Sequence, residues 1–382
     1  MATQVRKGER ALTVGWPDWP QATFHFIWLR DNCQCPACLH PSTRERTHFT
    51  ADVPAGVTAA EAALTAEGDL RVRWAPSTLD PEGHESVFPD GFLRAFLYPA
   101  ESGPLQAPPQ RRLWAGELNG RVPSFDFAEV VRDDAALLGW CEAIRDVGLA
   151  VVHGLPNHNG EVERFVERVA FVRETVYDRL HEVFVDPKAY NVASTALELK
   201  PHTDMPNYAW PPSIQLLHFM RNEARGGETT AVDGFQVAER LREERPDCFD
   251  LLTHVQACWR MFSEKGDIVG RAPMITLDPE GRITLVRFSN QLMQPLQIAP
   301  ELVEPFYEAY RILARMIEDP ANQVVMRMSS GDLVTTHNHR VLHGRKAFDP
   351  ASGARKLQLS YMDFDDLLSR IRLLSARRAV AA

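Results

Sequence analysis

The chain has 382 residues, 45% hydrophobic and 24% charged, with a formal net charge of −9. This fits a globular protein of about two domains and disfavours a nucleic-acid partner, whose phosphates need a basic face. No apolar run is long enough to span a membrane and the start, MATQVRKGERALTV, has no signal-peptide core, so the expectation is a cytoplasmic protein without membrane association.

In chain order, ALTVGW, TFHFIWLR, DLRVRWA and SVFPDGFLRAFLY alternate with turn signals and predict strands of a small β-rich domain over residues 1–100. PAESGPLQAPPQ, at 99–110, predicts a linker over 101–115, leaving a second domain at 116–382. There, DFAEVVRDDAALLGWCEAIRDVG predicts a helix closed by Gly148 and followed by the strand LAVVHGL. EVERFVERVAFVRETVY predicts a second helix. ELVEPFYEAYRILARMIEDP predicts a third, with Leu302, Phe306, Leu313 and Ile317 on one face and Pro320 as its stop. SIQLLHFM, ETTAVDGF, RITLVRFSN, QVVMRMS, DLVTTHN and RKLQLSYMDF read as strands. Their spacing lacks regular strand-helix alternation, so the expected fold is mixed, mainly β: an antiparallel barrel or jelly roll with flanking helices.

Of six cysteines, three crowd into NCQCPACLHP. In a reducing compartment such a cluster reads as metal ligands, with a transient disulfide as the rival. Cys33, Cys35 and Cys38 plus one imidazole would make a closed Cys₃His structural zinc site. His40, His48 and His84 are the candidate fourth ligands: His40 stands only two residues beyond Cys38, whereas His84 lies at a turn into a later strand. Cys141, Cys248 and Cys258 are scattered and read as small buried hydrophobes.

In KPHTDMPNY, His202 and Asp204 are two residues apart, which on extended backbone puts both on one face. THNHRVLHGR supplies His343 from a later strand. Two histidines and a carboxylate form the facial triad that holds Fe(II) with positions left open. Arg355, in SGARKLQLSYMD, suits a bidentate grip on a dicarboxylate, and Thr229, after the Gly-Gly turn of GGETTAVDGF, offers a hydroxyl to the same group. His337 and His339 are assigned supporting or surface roles, and Arg340 and Arg345 either salt bridges or substrate contacts.

HTD, GGET, HGR and the RKLQLSYMD segment, in this order, resemble the Fe(II)/2-oxoglutarate-dependent dioxygenases related to taurine dioxygenase and γ-butyrobetaine hydroxylase. WLRDNCQCPAC resembles the N-terminal domain of the hydroxylases, so the likeness covers nearly the whole chain. The resemblance implies a double-stranded β-helix core and a zinc-binding N-terminal domain through which the chain forms a homodimer. It implies His202, Asp204 and His343 as iron ligands, Arg355 and Thr229 on 2-oxoglutarate, and His84 as the fourth zinc ligand. O₂ is the co-reactant and ascorbate the reductant, and the activity is hydroxylation of an unactivated C–H bond with release of succinate and CO₂.

The resemblance also implies a substrate pocket with Tyr177 and Tyr361 in an aromatic cage for a quaternary ammonium, and Asn191 and Asn290 on the substrate's acidic end. Two cage positions depart from the pattern, being His181 and Ser194, with Tyr208 and Trp210 as candidates to complete the cage. Arg287, on the strand of Asn290, would suit a carboxylate or phosphonate if it pointed inward. The expected substrate is a small zwitterion such as γ-butyrobetaine, with an aminoalkylphosphonate as the alternative. A zinc-stabilised binding protein with an inactive barrel is disfavoured by the complete triad plus Arg355, and a zinc hydrolase leaves Arg355 without a task.

Overall fold

The computed structural model describes residues 1–98, 110–184, 195–263 and 265–381. Two compact units divide the chain, Met1–Pro109 and Gln110–Ala382. Residues 99–109, most of the segment read as a linker, lie outside the described residues. Trp114, also in that segment, is buried in the second unit, where its Nε1 donates to Val147 O at 2.8 Å. Among the described residues no helix is long and apolar enough to cross a membrane.

In the first unit, β1 (Gln4–Lys7), β2 (Ala11–Gly15) and β3 (Ala22–His25) form one antiparallel sheet, and α1 (Phe26–Asp31) follows directly. β4 (Ala59–Leu64), β5 (Leu70–Trp74) and β6 (His84–Phe88) form a second, followed by α2 (Asp90–Ala95). β5 alternates strictly, with Leu70, Val72 and Trp74 buried, and it packs with Phe24, Phe26 and Phe88. TFHFIWLR and SVFPDGFLRAFLY are therefore not single strands, because each turns from strand into helix. In the first, Phe26, Leu29 and Arg30 are buried at helical spacing, and in the second Pro89 precedes a helix opened by Asp90.

The second unit begins with β7 (Ser124–Asp126), α3 (Phe127–Arg132), α4 (Asp134–Asp146), β8 (Leu149–His153), α5 (Glu161–Val169), β9 (His181–Phe184) and β10 (Leu199–His202). Next come β11 (Ile214–Asn222), β12 (Arg225–Gly226), β13 (Thr229–Asp233), α6 (Gly234–Glu244), α7 (Pro246–His254), β14 (Gln256–Ser263) and β15 (Gly266–Pro273). β16 (Ile275–Leu277), β17 (Ile283–Val286), α8 (Pro300–Glu318), β18 (Gln323–Met326) and β19 (Asp332–His337) lead to β20 (Val341–Arg345), β21 (Phe348–Asp349), β22 (Arg355–Met362) and α9 (Phe364–Ala381).

The expected first helix of this unit is two, because Asp133 leaves the helix and caps α4 by accepting from Ala135 N and Ala136 N. Gly148, at φ 78°, ends it in the left-handed conformation that favours glycine. The helix expected over EVERFVERVAFVRETVY stops at Val169, since Arg173 N is drawn to Tyr361 O at 2.9 Å and its guanidinium to Asp363 at 2.6 Å.

A six-stranded sheet runs β7-β8-β19-β11-β22-β9, antiparallel except for β7 beside β8. A four-stranded antiparallel sheet runs β10-β20-β13-β18. The register of the smaller sheet places His202 opposite His343, and Thr229 opposite Arg345. β10 and β20 approach closely at Gly344, where a Cβ would lie 2.6 Å from Leu199 O and 3.0 Å from Pro201 N. Arg340 and Asp233 form a fully buried ion pair at 2.7 Å, with Asp233 also capping α6 and Arg340 also donating to Arg112 O and Asp146 O. That gives Arg340 a structural task.

Burial pushes the imidazoles of His218 and His339 down to about 4. In the unfolded chain each titrates near the ordinary value of about 6.5, so unfolding takes up protons below that pH. Stability from both groups is complete above about pH 6.5 and falls as the pH drops towards about 4. Between about pH 7.5 and about pH 5, each histidine is expected to cost about 2 kcal/mol of unfolding free energy in urea titrations. His218→Gln should reduce that loss by about one histidine's share; an unchanged loss would show that His218 is not held neutral.

Candidate metal centres and cavity

In the first unit, the turn after α1 brings Cys33, Cys35 and Cys38 to His84 at the start of β6. His84 Nε2 lies 3.3 Å from Cys33 Sγ and 3.6 Å from each of Cys35 and Cys38 Sγ. Tetrahedral ligation with sulfur at about 2.3 Å and nitrogen at about 2.0 Å sets those atoms about 3.5 Å apart, so the donor set fits zinc. Burial and the neighbouring Cys33 push the Cys38 thiol up to about 12 despite the Arg30 guanidinium, so three thiolates here need a cation among them. The other candidate histidines are elsewhere engaged: His48 Nε2 with Asp31 at 3.4 Å, and His40 Nδ1 with Thr43 N at 3.2 Å.

An outer layer braces this site. Arg30, buried, donates twice to Asp80, at 2.7 and 2.8 Å, and to Cys38 Sγ at 3.5 Å. Trp74 Nε1 donates to Ser86 Oγ, which donates to Cys33 Sγ at 3.0 Å.

In the second unit, donor atoms of His202, Asp204 and His343 lie within 4.8 Å of one another. Asp204 Oδ1 is 3.4 Å from His202 Nε2 and 3.6 Å from His343 Nε2. His202 Nδ1 donates to Lys200 O at 3.0 Å, which turns Nε2 towards Asp204. Burial alone would raise the Asp204 carboxyl, but His343, His202 and the Tyr361 hydroxyl outweigh it and hold it well below the usual range. Burial pushes His343 down to about 4, leaving a neutral imidazole, the ligand form. Two imidazoles and one carboxylate fit Fe(II).

The centre opens into a cavity of about 300 Å³. Arg355, Leu357, Leu359 and Tyr361 alternate along β22 and line it, with Thr229, Arg345, Met205, Gln215, Tyr177 and His181. Arg355 Nε is buried without a hydrogen-bond partner, and burial, with Arg345 and Arg327 nearby, pushes the guanidinium down to about 9. Its rings of contact are Phe348 at 5.1 Å and Phe219 at 5.9 Å. A buried cation so placed fits the carboxylate of 2-oxoglutarate. Tyr361 Oη donates to Asp204 Oδ2 at 2.7 Å, and the Tyr177 and His181 rings meet at 4.6 Å.

Two expected substrate contacts are not brought to this cavity. Arg287 is buried and turned to Thr276 Oγ1 at 3.1 Å and Ala209 O at 3.0 Å, away from the cavity, with its Nε left without a partner. Asn290 is exposed and its Oδ1 accepts from Tyr310 Oη at 2.9 Å, while its neighbours Ser289 and Gln291 line the cavity. Asn191 and Ser194 lie outside the described residues. Trp210 is 55% exposed and packs edge-on against His339. The Tyr208 hydroxyl accepts from Val176 N at 3.2 Å, supporting the turn that carries Tyr177. His337 stacks on Phe364 at 4.3 Å and His339 Nε2 donates to Pro211 O at 2.8 Å, so neither joins the metal cluster.

Gln215 went unnoticed in the sequence. Thr336 Oγ1 donates to its Oε1 at 3.3 Å, which aims its Nε2 at Asp204 Oδ2 and at His343 Nε2, 2.9 Å away. Gln215 stands opposite Tyr361 across β11 and β22, a pairing that leaves no local signal in the sequence. Arg345 shares a strand face with His343 and donates to Thr195 O and Leu197 O.

The family described as taurine catabolism dioxygenase TauD, TfdA family matches residues 107–361. The chain belongs to this dioxygenase family. The first unit of this TauD/TfdA-family dioxygenase matches a second description, gamma-butyrobetaine hydroxylase-like, N-terminal, over residues 3–94. The dioxygenase is 38% identical over 365 residues to a gamma-butyrobetaine dioxygenase of Pseudomonas sp. (strain AK-1), covering 95% of this chain and 93% of that one. It is 28% identical to the human gamma-butyrobetaine dioxygenase over 99% of both chains. It is 30% identical to a mitochondrial trimethyllysine dioxygenase of Gallus gallus, covering 92% of this chain and 83% of that one.

Because the two centres differ in ligand softness and lie in separate units, the dioxygenase should lose them independently. Cys38→Ser is expected to release zinc and lower the melting temperature, and His202→Ala to abolish iron binding with zinc content unchanged. Metal analysis finding zinc lost from His202→Ala would contradict the assignment.

Proposed function

We propose that the chain hydroxylates an aliphatic C–H bond of a small zwitterion with an amine or quaternary ammonium at one end and an acid at the other, γ-butyrobetaine being the first candidate. In this reading His202, Asp204 and His343 hold Fe(II), and the two large sheets are the faces of a double-stranded β-helix. Bound there, iron supplies oxygen activation coupled to decarboxylation of 2-oxoglutarate to succinate and CO₂, with ascorbate maintaining the reduced metal. Arg355 grips the far carboxylate of the cosubstrate, helped by the Thr229 hydroxyl.

The observation that carries the reading is the single cavity lined by the three donors, a desolvated guanidinium and an aromatic pair. Tyr177 offers a ring face to a cation that cannot donate hydrogen bonds. His181 extends that wall, and burial lowers its pKa, so it stays neutral and does not repel a positive substrate. Tyr361 closes the wall beside Asp204, so a cation held there would lie in the same cavity as the three donors. With one imidazole in place of a larger aromatic, the grip on a trimethylammonium is weaker than in a complete cage. The names of the relatives support a quaternary ammonium amino acid as the substrate class.

The same proposal includes a cytoplasmic homodimer formed through the first unit, where Phe49, Ile27 and Trp19 leave apolar surface exposed. Sedimentation of the full chain tests it.

With Fe(II), ascorbate and 2-oxoglutarate present, γ-butyrobetaine is expected to stimulate succinate release. An aminoalkylphosphonate comes second, since its motive, Arg287, does not line the cavity. If only uncharged or purely anionic compounds stimulate turnover, the cation-binding role of Tyr177 and His181 is wrong. Arg355→Lys is expected to raise the 2-oxoglutarate concentration for half-maximal turnover about tenfold to a hundredfold, because lysine keeps the charge and loses the fork. An unaltered requirement would assign the cosubstrate to another residue.

A further inference from the structure

The segment from Asp204 to Ser213 joins β10 to β11 and begins with a sharp turn, Met205 standing at φ 54°. A residue other than glycine holds that left-handed conformation only when its surroundings impose it. Met205 O accepts from Tyr208 N at 3.0 Å, and the preceding residue, Asp204, is gripped by one fully buried side chain, Asn338, in the turn between β19 and β20. Its Oδ1 accepts from Asp204 N at 2.7 Å. Its Nδ2 donates to Asp204 O at 3.0 Å and to Pro212 O at 2.8 Å, spending both amide hydrogens. Its own backbone N donates to Ser213 O at 2.7 Å.

Asn338 thus holds both backbone polar groups of Asp204 and both ends of the segment that follows. It stands in the turn leading to the strand of His343, so one amide ties together the chain segments that carry the carboxylate and an imidazole. We propose that Asn338 is the positioning residue of the metal centre, setting the direction in which the Asp204 carboxylate faces His202 and His343. The inference rests on the reading of those three residues as metal ligands. No other uncharged side chain of this size supplies one acceptor and two donors in this arrangement. Aspartate, of the same shape, keeps the acceptor and loses both donors.

The test uses zinc-loaded, iron-free full chain titrated with Co(II), read by the d–d absorption of the bound ion beside zinc content and melting temperature. Asn338→Asp is expected to weaken Co(II) binding about tenfold to a hundredfold and alter the absorption envelope, with zinc content unchanged. His339→Leu removes a bond to the same segment, at Pro211, and none to Asp204. It is expected to lower the melting temperature while changing Co(II) affinity less than about threefold. Asn338→Ser, uncharged and smaller, reads the same quantity if Asn338→Asp does not fold. A folded Asn338 variant that binds Co(II) like the unaltered chain would overturn the proposal. So would equal weakening by His339→Leu, or failure of both Asn338 variants to fold, since each makes the residue a fold determinant only. Should His202→Ala bind Co(II) like the unaltered chain, the metal-centre reading itself fails, and that result is distinguishable from the others.

Discussion

A carboxylate held between two imidazoles in a cavity is the constraint around which the second unit is arranged. Desolvating Asp204 is unfavourable, and the surroundings compensate with His202, His343, the Tyr361 hydroxyl and the Gln215 amide. These groups come from β10, β20, β22 and β11, so both large sheets must form before the charge is accommodated. The His202–His343 register, the orientation of Gln215 by Thr336 and the grip of Asn338 are consequences of that one requirement.

Farther along β22 the opposite charge is buried. Arg355 and Arg345 crowd one stretch of the cavity, and their mutual repulsion adds to desolvation in lowering the Arg355 pKa. On the proposed function, an anion with two carboxylates would answer both stretches at once, one group at the guanidinium and the other at the three donors. The cavity is thus electrostatically polarised along β22.

What could be read from the sequence were the groups whose chemistry depends on residue type and close spacing. His202 and Asp204 stand two residues apart and bring their donor atoms to one cluster, although β10 ends at His202, and the three cysteines announce a thiolate site without tertiary information. Choosing His84 needed the resemblance, because a ligand some fifty residues away leaves no local trace; the structure reports it at 3.3 Å from Cys33. Orientation was not legible. Arg287 and Asn290 sit in a segment whose general position was expected, but which way each points is decided by Thr276 on the neighbouring strand, by Ala209 and by Tyr310. Gln215 and Asn338 looked like ordinary polar residues because their partners are assembled only by the sheets. Among the elements, amphipathic α8 was readable, whereas the strand-to-helix turn at Phe26 was hidden inside an apolar run and the one at Asp90, marked by Pro89, was read as part of a strand.

Gly344 limits how this cavity can be altered by substitution. It lies between His343 and Arg345, and its lack of a side chain lets β20 approach the backbone of β10. Any larger residue would displace the strand bearing His202, so the spacing between His343 and Arg345 along β20 is tied to that close approach. Tyr177, His181, Met261, Ser289 and Gln291 line the same cavity from other segments without that backbone restriction. Substitutions at those walls can therefore reshape the cavity without forcing β10 and β20 apart.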